Sequence, residues 1–163
     1  MTPLFYSASN SNVEMIKLLV SRGADVNHAG RTGASALTYA AIGGLDQTAL
    51  TLIDAGAEVD HKEHDGRTPL MEAIINGHLS TADKLLQNHD ATPLLSGADV
   101  NAHDNTGETP LILALIEFSI AVDTSVVKPS TKGSHSQQRA GPTVTQELFQ
   151  SIIELLLDRG AGH

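Results

Sequence analysis

The sequence predicts an all-α solenoid, in which pairs of short helices stack one behind another along the chain. Three observations predict this fold. A helix-start signature recurs twice at an interval of 33 residues and once more after 41, a Gly-Ala-acid stretch begins 21 residues after each of the first two starts, and a glycine lies two residues before each later start. Three signals that keep one register indicate internal repeats.

The first signal is a triplet that resembles Thr-Pro-Leu. It occurs as Thr2-Pro3-Leu4, Ser35-Ala36-Leu37 and Thr68-Pro69-Leu70, and after 41 further residues as Thr109-Pro110-Leu111. Threonine or serine at an N-cap accepts a bond from a backbone amide, and proline fits the next position because an N–H there would have no helical partner. A helix should begin after each triplet.

The second and third signals mark where each unit ends. Gly23, Gly56, Gly97 and Gly160 follow apolar runs and are interpreted as left-handed caps of a second helix. The stretch after each of the first three then leads into a turn that ends at Gly33, Gly66 and Gly107, respectively. One unit is therefore a helix, a short loop, a second helix and a hairpin-like loop.

A single unit cannot bury its apolar face alone, so the units must stack into one domain over residues 1–163. The repeats are placed at about 2–34, 35–67, 68–108 and 109–163. The third carries eight extra residues, His89–Ser96, which should form an outward loop because Pro93 cannot continue a helix. The fourth carries a flexible insertion at about 119–148, interpreted either as an expendable loop or as a basic tether.

The period, the Thr-Pro-Leu starts and the Gly-Ala-Asp-Val-Asn ends resemble the ankyrin repeat over roughly three quarters of the chain. One feature departs from that family. The histidine that usually follows Thr-Pro-Leu is replaced by Phe5, Thr38, Met71 and Ile112. In the family this histidine joins neighbouring repeats by hydrogen bonds, so we expect the ties here to be apolar or missing and the stability to be modest.

Composition argues against several classes of function. A formal charge of −9 would repel a phosphate backbone, so no nucleic-acid partner is expected. The uninterrupted apolar runs fall far below the ~18 residues of a membrane span, and no signal peptide follows Met1. The absence of cysteine fits a reducing compartment, so we expect a cytoplasmic or nuclear location.

The sequence predicts neither an enzyme nor a cofactor or metal site. No nucleophile elbow or phosphate-binding glycine loop is present, and acids such as Asp25, Glu58 and Asp99 simply follow the repeat. His28 and His61 occupy equivalent hairpin positions, but stacked repeats hold equivalent atoms ~10 Å apart, too far to share a zinc ion. We expect these to be solvated hairpin histidines.

The resemblance implies a protein-binding module that uses a concave groove, lined by the hairpin tips and the exposed side of each first helix. The position four past each Thr or Ser is either a groove position or a helix-packing position. The partner, a protein or peptide expected to have basic character, would contact Tyr6, Asn10, Arg31, Tyr39, Ile42, His64, Asp65, Glu72, Ile75, Asn76, Asp104, Asn105, Leu113 and Ile116.

Three further interpretations stay open. The array could be a regulatory segment of a larger enzyme or channel that packs against its own chain. The apolar last helix, Leu148–Leu157, indicates either excision from a longer array or self-association. Asn27, preceded by Leu19, Asp25 and Val26, is similar to the ankyrin pattern that an asparaginyl hydroxylase modifies, or it simply braces the hairpin.

Overall fold

A computed structural model describes residues 2–87, 97–126 and 146–162, and the side chains of these except 121–126 and 146. The described residues form eight helices and no strand, which confirms the predicted all-α fold. The helices are α1 (Pro3–Ser9), α2 (Val13–Ser21), α3 (Ala36–Ile42), α4 (Asp46–Asp54), α5 (Pro69–Ile75), α6 (Leu79–Leu86), α7 (Pro110–Val126) and α8 (Gln146–Asp158).

The predicted helix starts are confirmed by their hydrogen bonds. Thr2 and Thr68 each accept a bond on the side-chain hydroxyl from the backbone amide three residues on, at 3.4 Å. Ser35 forms a full capping box with Thr38, since each hydroxyl accepts the other residue's amide at 3.2 Å. Thr38, which stands where the ankyrin repeat usually has histidine, therefore stabilises the N-terminal end of α3.

The helices form two layers, and within each layer they pack against one another in chain order. The first helices of the units contact one another in the order α1, α3, α5, α7, and the second helices in the order α2, α4, α6, α8. Each first helix also packs on the second helix of its own unit. Equivalent residues of successive units therefore lie in equivalent environments, as a solenoid requires.

Burial shows how neighbouring units cover each other. Ala8, Ala41 and Ile74 occupy one position in α1, α3 and α5, and all three are fully buried. The equivalent residue of α7, Leu115, is 47% exposed. This position faces the following unit, and no described helix follows α7 on that side. Small alanines here also let the helix axes approach closely.

The predicted boundaries of the fourth-unit insertion are too wide. α7 continues to Val126 and α8 begins at Gln146, so the described helices extend into the predicted 119–148 segment from both sides. The other units turn after their first helix through a residue with positive φ, at Ser11, Gly44 and Gly77. Phe118 stands at this position, and a bulky side chain disfavours that conformation, so the helix continues.

Two other predictions about the loops have different outcomes. Residues 88–96, which include the predicted outward loop, and residues 127–145 lie outside the described residues. The left-handed caps are confirmed at Gly23, Gly56 and Gly160, with φ of 84–90°, but not at Gly97. A Cβ on Gly97 would lie 2.6 Å from the carbonyl oxygen of Leu86, so close packing, and not a left-handed turn, requires this glycine.

Polar ties do join the repeats, which corrects the expectation that they would be apolar or missing. The hairpins, at 24–34, 57–67 and 98–108, pair through backbone bonds from His64 N to Thr32 O at 3.1 Å and from Asn105 N to Asp65 O at 2.9 Å. Neighbouring hairpins are thus joined by hydrogen bonds that need no particular side chain.

A second ladder of hydrogen bonds joins consecutive units. It is formed by the side chain at the end of each Gly-Ala-acid stretch. Asn27 Oδ1 accepts from the amide of Glu58 at 2.8 Å, and its Nδ2 donates to Gly56 O at 3.2 Å. The next two units repeat the first bond, from Asp99 N to Asp60 Oδ1 at 2.9 Å and from Gly162 N to Asn101 Oδ1 at 3.0 Å. Each unit is therefore tied to the next on its hairpin side.

Further ties lie among the second helices. The Asp46 carboxylate, in the first turn of α4, accepts bonds from the hydroxyls of Ser80 and Thr81 on α6. His78 Nε2 donates to Ile42 O at 3.0 Å, so a histidine from the third unit closes the end of α3. These bonds fix the spacing of units two and three from the side opposite the hairpins.

Gly66 and Gly107 make a matched test of hairpin stacking. Both have φ of 86°, so Gly107→Ala should cost about 1–2 kcal/mol of left-handed strain. A Cβ on Gly66 would also lie 2.7 Å from Asn105 N, whereas one on Gly107 meets nothing within 4 Å. We expect Gly66→Ala to lower the free energy of urea unfolding by at least about 1 kcal/mol more than Gly107→Ala. Equal losses would contradict the stacked hairpins.

Candidate functional site

One row of first-helix positions stays at least partly exposed to solvent in every unit. It contains Ser9, Ile42, Ile75 and Ile116, one from each of α1, α3, α5 and α7. Ile42 and Ile116 are 36% and 39% exposed, and Ile75 is half-buried. Because inner units bury the neighbouring positions on these helices, this isoleucine row is the part of the first helices that the scaffold leaves available. Three of its residues were predicted from the sequence.

The predicted groove position four past each Thr or Ser is mainly a packing position. Tyr6 is 68% exposed at the start of the stack, but Tyr39 packs edge-on against the Phe5 ring of the preceding unit, with centroids 5.2 Å apart. Glu72 and Leu113 are buried, at 8% and 5% exposure. Their side chains face the unit before them, so the assignment of Glu72 and Leu113 to an open groove floor is wrong.

Asn10 and Asn76 have a structural role in addition to any contact they make. Each amide donates to the carbonyl four residues earlier, Tyr6 O at 2.7 Å and Glu72 O at 2.8 Å. Each of these carbonyls also accepts the backbone amide of the same asparagine, so the side chain adds a second donor at the C-terminal end of the helix. Asn10 is exposed and Asn76 is half-buried, so both remain at the edge of the isoleucine row.

A cavity of about 240 Å³ opens between the first hairpin and the first helices. It is lined by Phe5, Gly30, Arg31, Thr32 and Tyr39. Two aromatic rings form its apolar wall, and the exposed Arg31 supplies a cation at its edge. Sequence reasoning identified Arg31 and Tyr39 but missed Phe5, whose ring was expected only to fill the histidine position.

The hairpin tips divide into exposed and structural residues. His64, Asp65 and Asn105 are exposed, although Asn105 Nδ2 also donates to His64 O at 2.9 Å. Asp104, in contrast, is buried, and its Oδ1 accepts from the amide and hydroxyl of Thr106 and from the amide of the residue at 108. Asp104 therefore holds the turn together, which corrects its assignment as a contact residue.

Electrostatics agrees with this role for Asp104. Burial alone would raise the pKa of its carboxyl, but hydrogen bonds from Thr106 and from the amide of Glu108, with help from the Arg67 charge, lower the pKa below its usual value. The carboxylate is therefore ionised, and its Oδ1 is held within its own hairpin.

Glu63 is a residue that the sequence did not single out. Its Oε1 is buried with no hydrogen-bond partner, beside a cluster in which Arg67 contacts Glu72 at 3.4 Å and Asp65 at 3.5 Å. Burial, followed by the charges of Glu72 and Asp65, raises the Glu63 pKa to about 7, against the opposing effects of Arg67 and His61. No sequence pattern distinguishes this glutamate from its exposed neighbours.

The hairpin histidines differ from one another. His28 is exposed and meets the edge of the Phe5 ring, with centroids 6.1 Å apart. The His61 side chain is only 17% exposed, and its Nε2 donates to Gly33 O at 2.8 Å, so the expectation that it is solvated is wrong. Within the described residues, no three His, Asp or Glu side chains converge as a metal site would require.

Negative charge concentrates in the middle of the stack. Residues 35–108 hold twelve of the nineteen acidic side chains but only three of the ten basic ones. The exposed acids of this region include Glu58, Asp65 and Asp99 on the second and third hairpins. The field along the hairpin side therefore favours cations near units two and three.

The sequence that forms these stacked helix pairs and hairpins matches a known protein-family model. Residues 1–63 and 46–123 match the family model described as ankyrin repeats (3 copies). The chain belongs to the ankyrin-repeat family. The search of curated proteins finds no match.

Ankyrin repeats are generally protein–protein interaction modules and typically lack catalytic activity. That family character agrees with a surface on which isoleucine side chains and hairpin residues stay at least partly exposed. In the part of the chain that the structure describes, no helix combines the length and apolar character needed to cross a membrane. Hydroxylation of Asn27 stays a prediction, and its amide is engaged in the ladder described above.

The raised pKa of Glu63 predicts that the stability of the ankyrin stack depends on pH. Its folded pKa of about 7 lies above the ordinary value of 4.5, so its proton is held more tightly in the folded state. Stability is therefore lost as pH rises from about 4.5 through about 7. Glu63→Gln should unfold at higher urea than the parent chain at pH 8 and at nearly the same urea at pH 4.5.

The exposed Glu14 provides the control, as Glu14→Gln. It should not reproduce the pH-dependent difference between variant and parent. An equal gain from Glu63→Gln at both pH values would show that packing, and not ionisation, explains the effect.

Proposed function

We propose that this ankyrin array binds a protein or peptide of basic character in the groove between its hairpins and its first helices. The observation that carries the proposal is the isoleucine row, Ile42, Ile75 and Ile116, which stays accessible where the adjacent first-helix positions of the inner units are buried. Full burial of an exposed side chain of this size contributes about 1.5–3 kcal/mol, and because these isoleucines are already partly buried, a partner gains about a third of that from each.

The cavity beside the first hairpin supports an anchor at one end of the groove. Its volume of about 240 Å³ accommodates one large side chain of the partner against Phe5 and Tyr39. Arg31 at the rim can pair with a carboxylate or carbonyl that flanks this anchor. A rigid aromatic wall needs little reordering on binding, which favours affinity.

The acidic middle units support the preference for a basic partner. Asp65, Glu58 and Asp99 are exposed on the hairpins that edge the isoleucine row. Their field would accelerate association with a cationic segment and would be weakened by salt. The partner segment that fits best has one bulky residue for the cavity, apolar residues along the row and lysine or arginine towards the second and third hairpins.

The regulatory alternative uses the same surface. A larger enzyme or channel that carries this array would supply the basic segment from its own chain, so the contacts would be the same and only the connectivity would differ. That alternative and the cytoplasmic or nuclear location stay predictions.

Selection of linear peptides from a displayed library on the immobilised chain tests the proposal. Enriched peptides should combine lysine or arginine with apolar residues, and their affinity should fall as salt increases. The double variant Ile42→Ala/Ile75→Ala should weaken a selected peptide at least tenfold, equivalent to a loss of about 1.4 kcal/mol. Titration by fluorescence anisotropy measures this change.

The matched control is Glu14→Ala/Gln47→Ala, which alters exposed positions on the second helices α2 and α4. This pair should leave peptide affinity within twofold. If the isoleucine pair is equally silent, or the control pair loses as much affinity, the groove is not the binding site.

A further inference from the structure

The two ends of the stack expose positions that the inner units bury. At the end formed by α7 and α8, Ile112, Leu115 and Leu157 are 42%, 47% and 52% exposed, and they are called here the C-terminal face. Their equivalents are buried: Met71 and Ile74 in the third unit and Ile53 in the second are each 0% exposed.

The opposite end shows the complementary pattern. Tyr6, Met15 and Leu18 of the first unit are 68%, 41% and 47% exposed, and they are called here the N-terminal face. The residues equivalent to Met15 in the next two units, Thr48 and Thr81, are 1% exposed. Thr81 bonds Asp46 of the unit before it, which places this position on the side that faces the preceding unit.

The two faces are therefore the two halves of one interface that the chain already makes between each pair of neighbouring units. The contact of Phe5 with Tyr39 is one example: a C-terminal-face position of one unit meets the N-terminal-face position of the next, with ring centroids 5.2 Å apart. The first unit carries Met15 and Leu18 where inner units carry threonines or Lys84, so its open face is more apolar than the faces buried inside the chain.

We infer that the C-terminal face of one copy of this chain stacks on the N-terminal face of a second copy, in the head-to-tail register of consecutive repeats. Such an interface is heterologous, so association can continue beyond a dimer. The occupant is a second copy because it presents the apolar N-terminal face, Tyr6, Met15 and Leu18, in the geometry with which each inner unit meets its predecessor.

The charge distribution permits this contact. Residues 1–34 carry three basic and two acidic side chains, and residues 109–163 carry four basic and five acidic ones, so neither terminal unit shares the strong negative charge of residues 35–108. Two chains can therefore meet end to end without bringing their acidic middle units together. A side-by-side contact of two hairpin surfaces would be opposed by charge repulsion.

The C-terminal helix alone does not form this surface, although the sequence suggested that it would. Phe149, Ile152 and Leu156 of α8 are 3%, 0% and 0% exposed. They pack in the core that α8 shares with α7 and α6. Only Leu157 of α8 joins the C-terminal face, and α7 supplies the remainder.

The test measures the mass of the 163-residue chain by sedimentation velocity over a range of concentrations up to about 1 mM, where even weak association is populated. The mean mass should rise with concentration. Leu115→Asp blocks the C-terminal face and Leu18→Asp blocks the N-terminal face, and each variant alone should remain a monomer. Mixed together, they should form a one-to-one dimer that grows no further, because only one pair of open faces remains.

Gln47→Asp is the control, since it places the same charge on an exposed side chain of α4 that lies outside both faces and outside the isoleucine row. It should associate like the parent chain. Circular dichroism verifies that each variant folds, and Leu115→Ser with Leu18→Ser replaces any variant that does not. Three results would overturn the inference: a parent chain that is monomeric at every concentration, a Leu18→Asp variant that still dimerises with itself, or a control that loses association equally.

Discussion

The structure depends on one constraint: a pair of short helices cannot cover its own apolar side, so the neighbouring unit must cover it. Six of the helices have only seven to nine residues, too few to be stable alone in water. Ile74 is fully buried because α7 follows α5, whereas Leu115 at the same position of α7 is half open. The burial of a residue is thus decided by its place in the stack as well as by its type.

The same constraint explains which surfaces remain for function. Packing between units uses the two flanks of every helix pair, Asn27 bonds the next unit, and Asp104 bonds within its own hairpin. The side chains of the isoleucine row, which stay at least partly exposed, are what the stack leaves available. A partner can therefore bind there without disturbing the contacts that hold the units together.

The sequence predicted the features that repeat and missed those that depend on a neighbour. Thr-Pro starts and glycine caps are local signals, so helix starts at Pro3 and Pro69 followed directly from them. Exposure is not local: Tyr6 and Glu72 share a repeat position, but within the described residues a preceding unit covers Glu72 and none covers Tyr6. The buried oxygen of Glu63 likewise arises from three-dimensional packing. The extension of α7 did have a local signal, because Phe118 occupies the turn position. The prediction from the repeat pattern did not use it.

The most direct measurement of the central claim compares Ile74→Ala with Leu115→Ala in urea unfolding at low protein concentration. The two side chains have similar volumes and hold the same repeat position, at 0% and 47% exposure. Mutual covering by neighbouring units predicts that Ile74→Ala lowers the free energy of unfolding by about 2–5 kcal/mol, and Leu115→Ala by less than about 1 kcal/mol. Equal losses at the two positions would contradict the account.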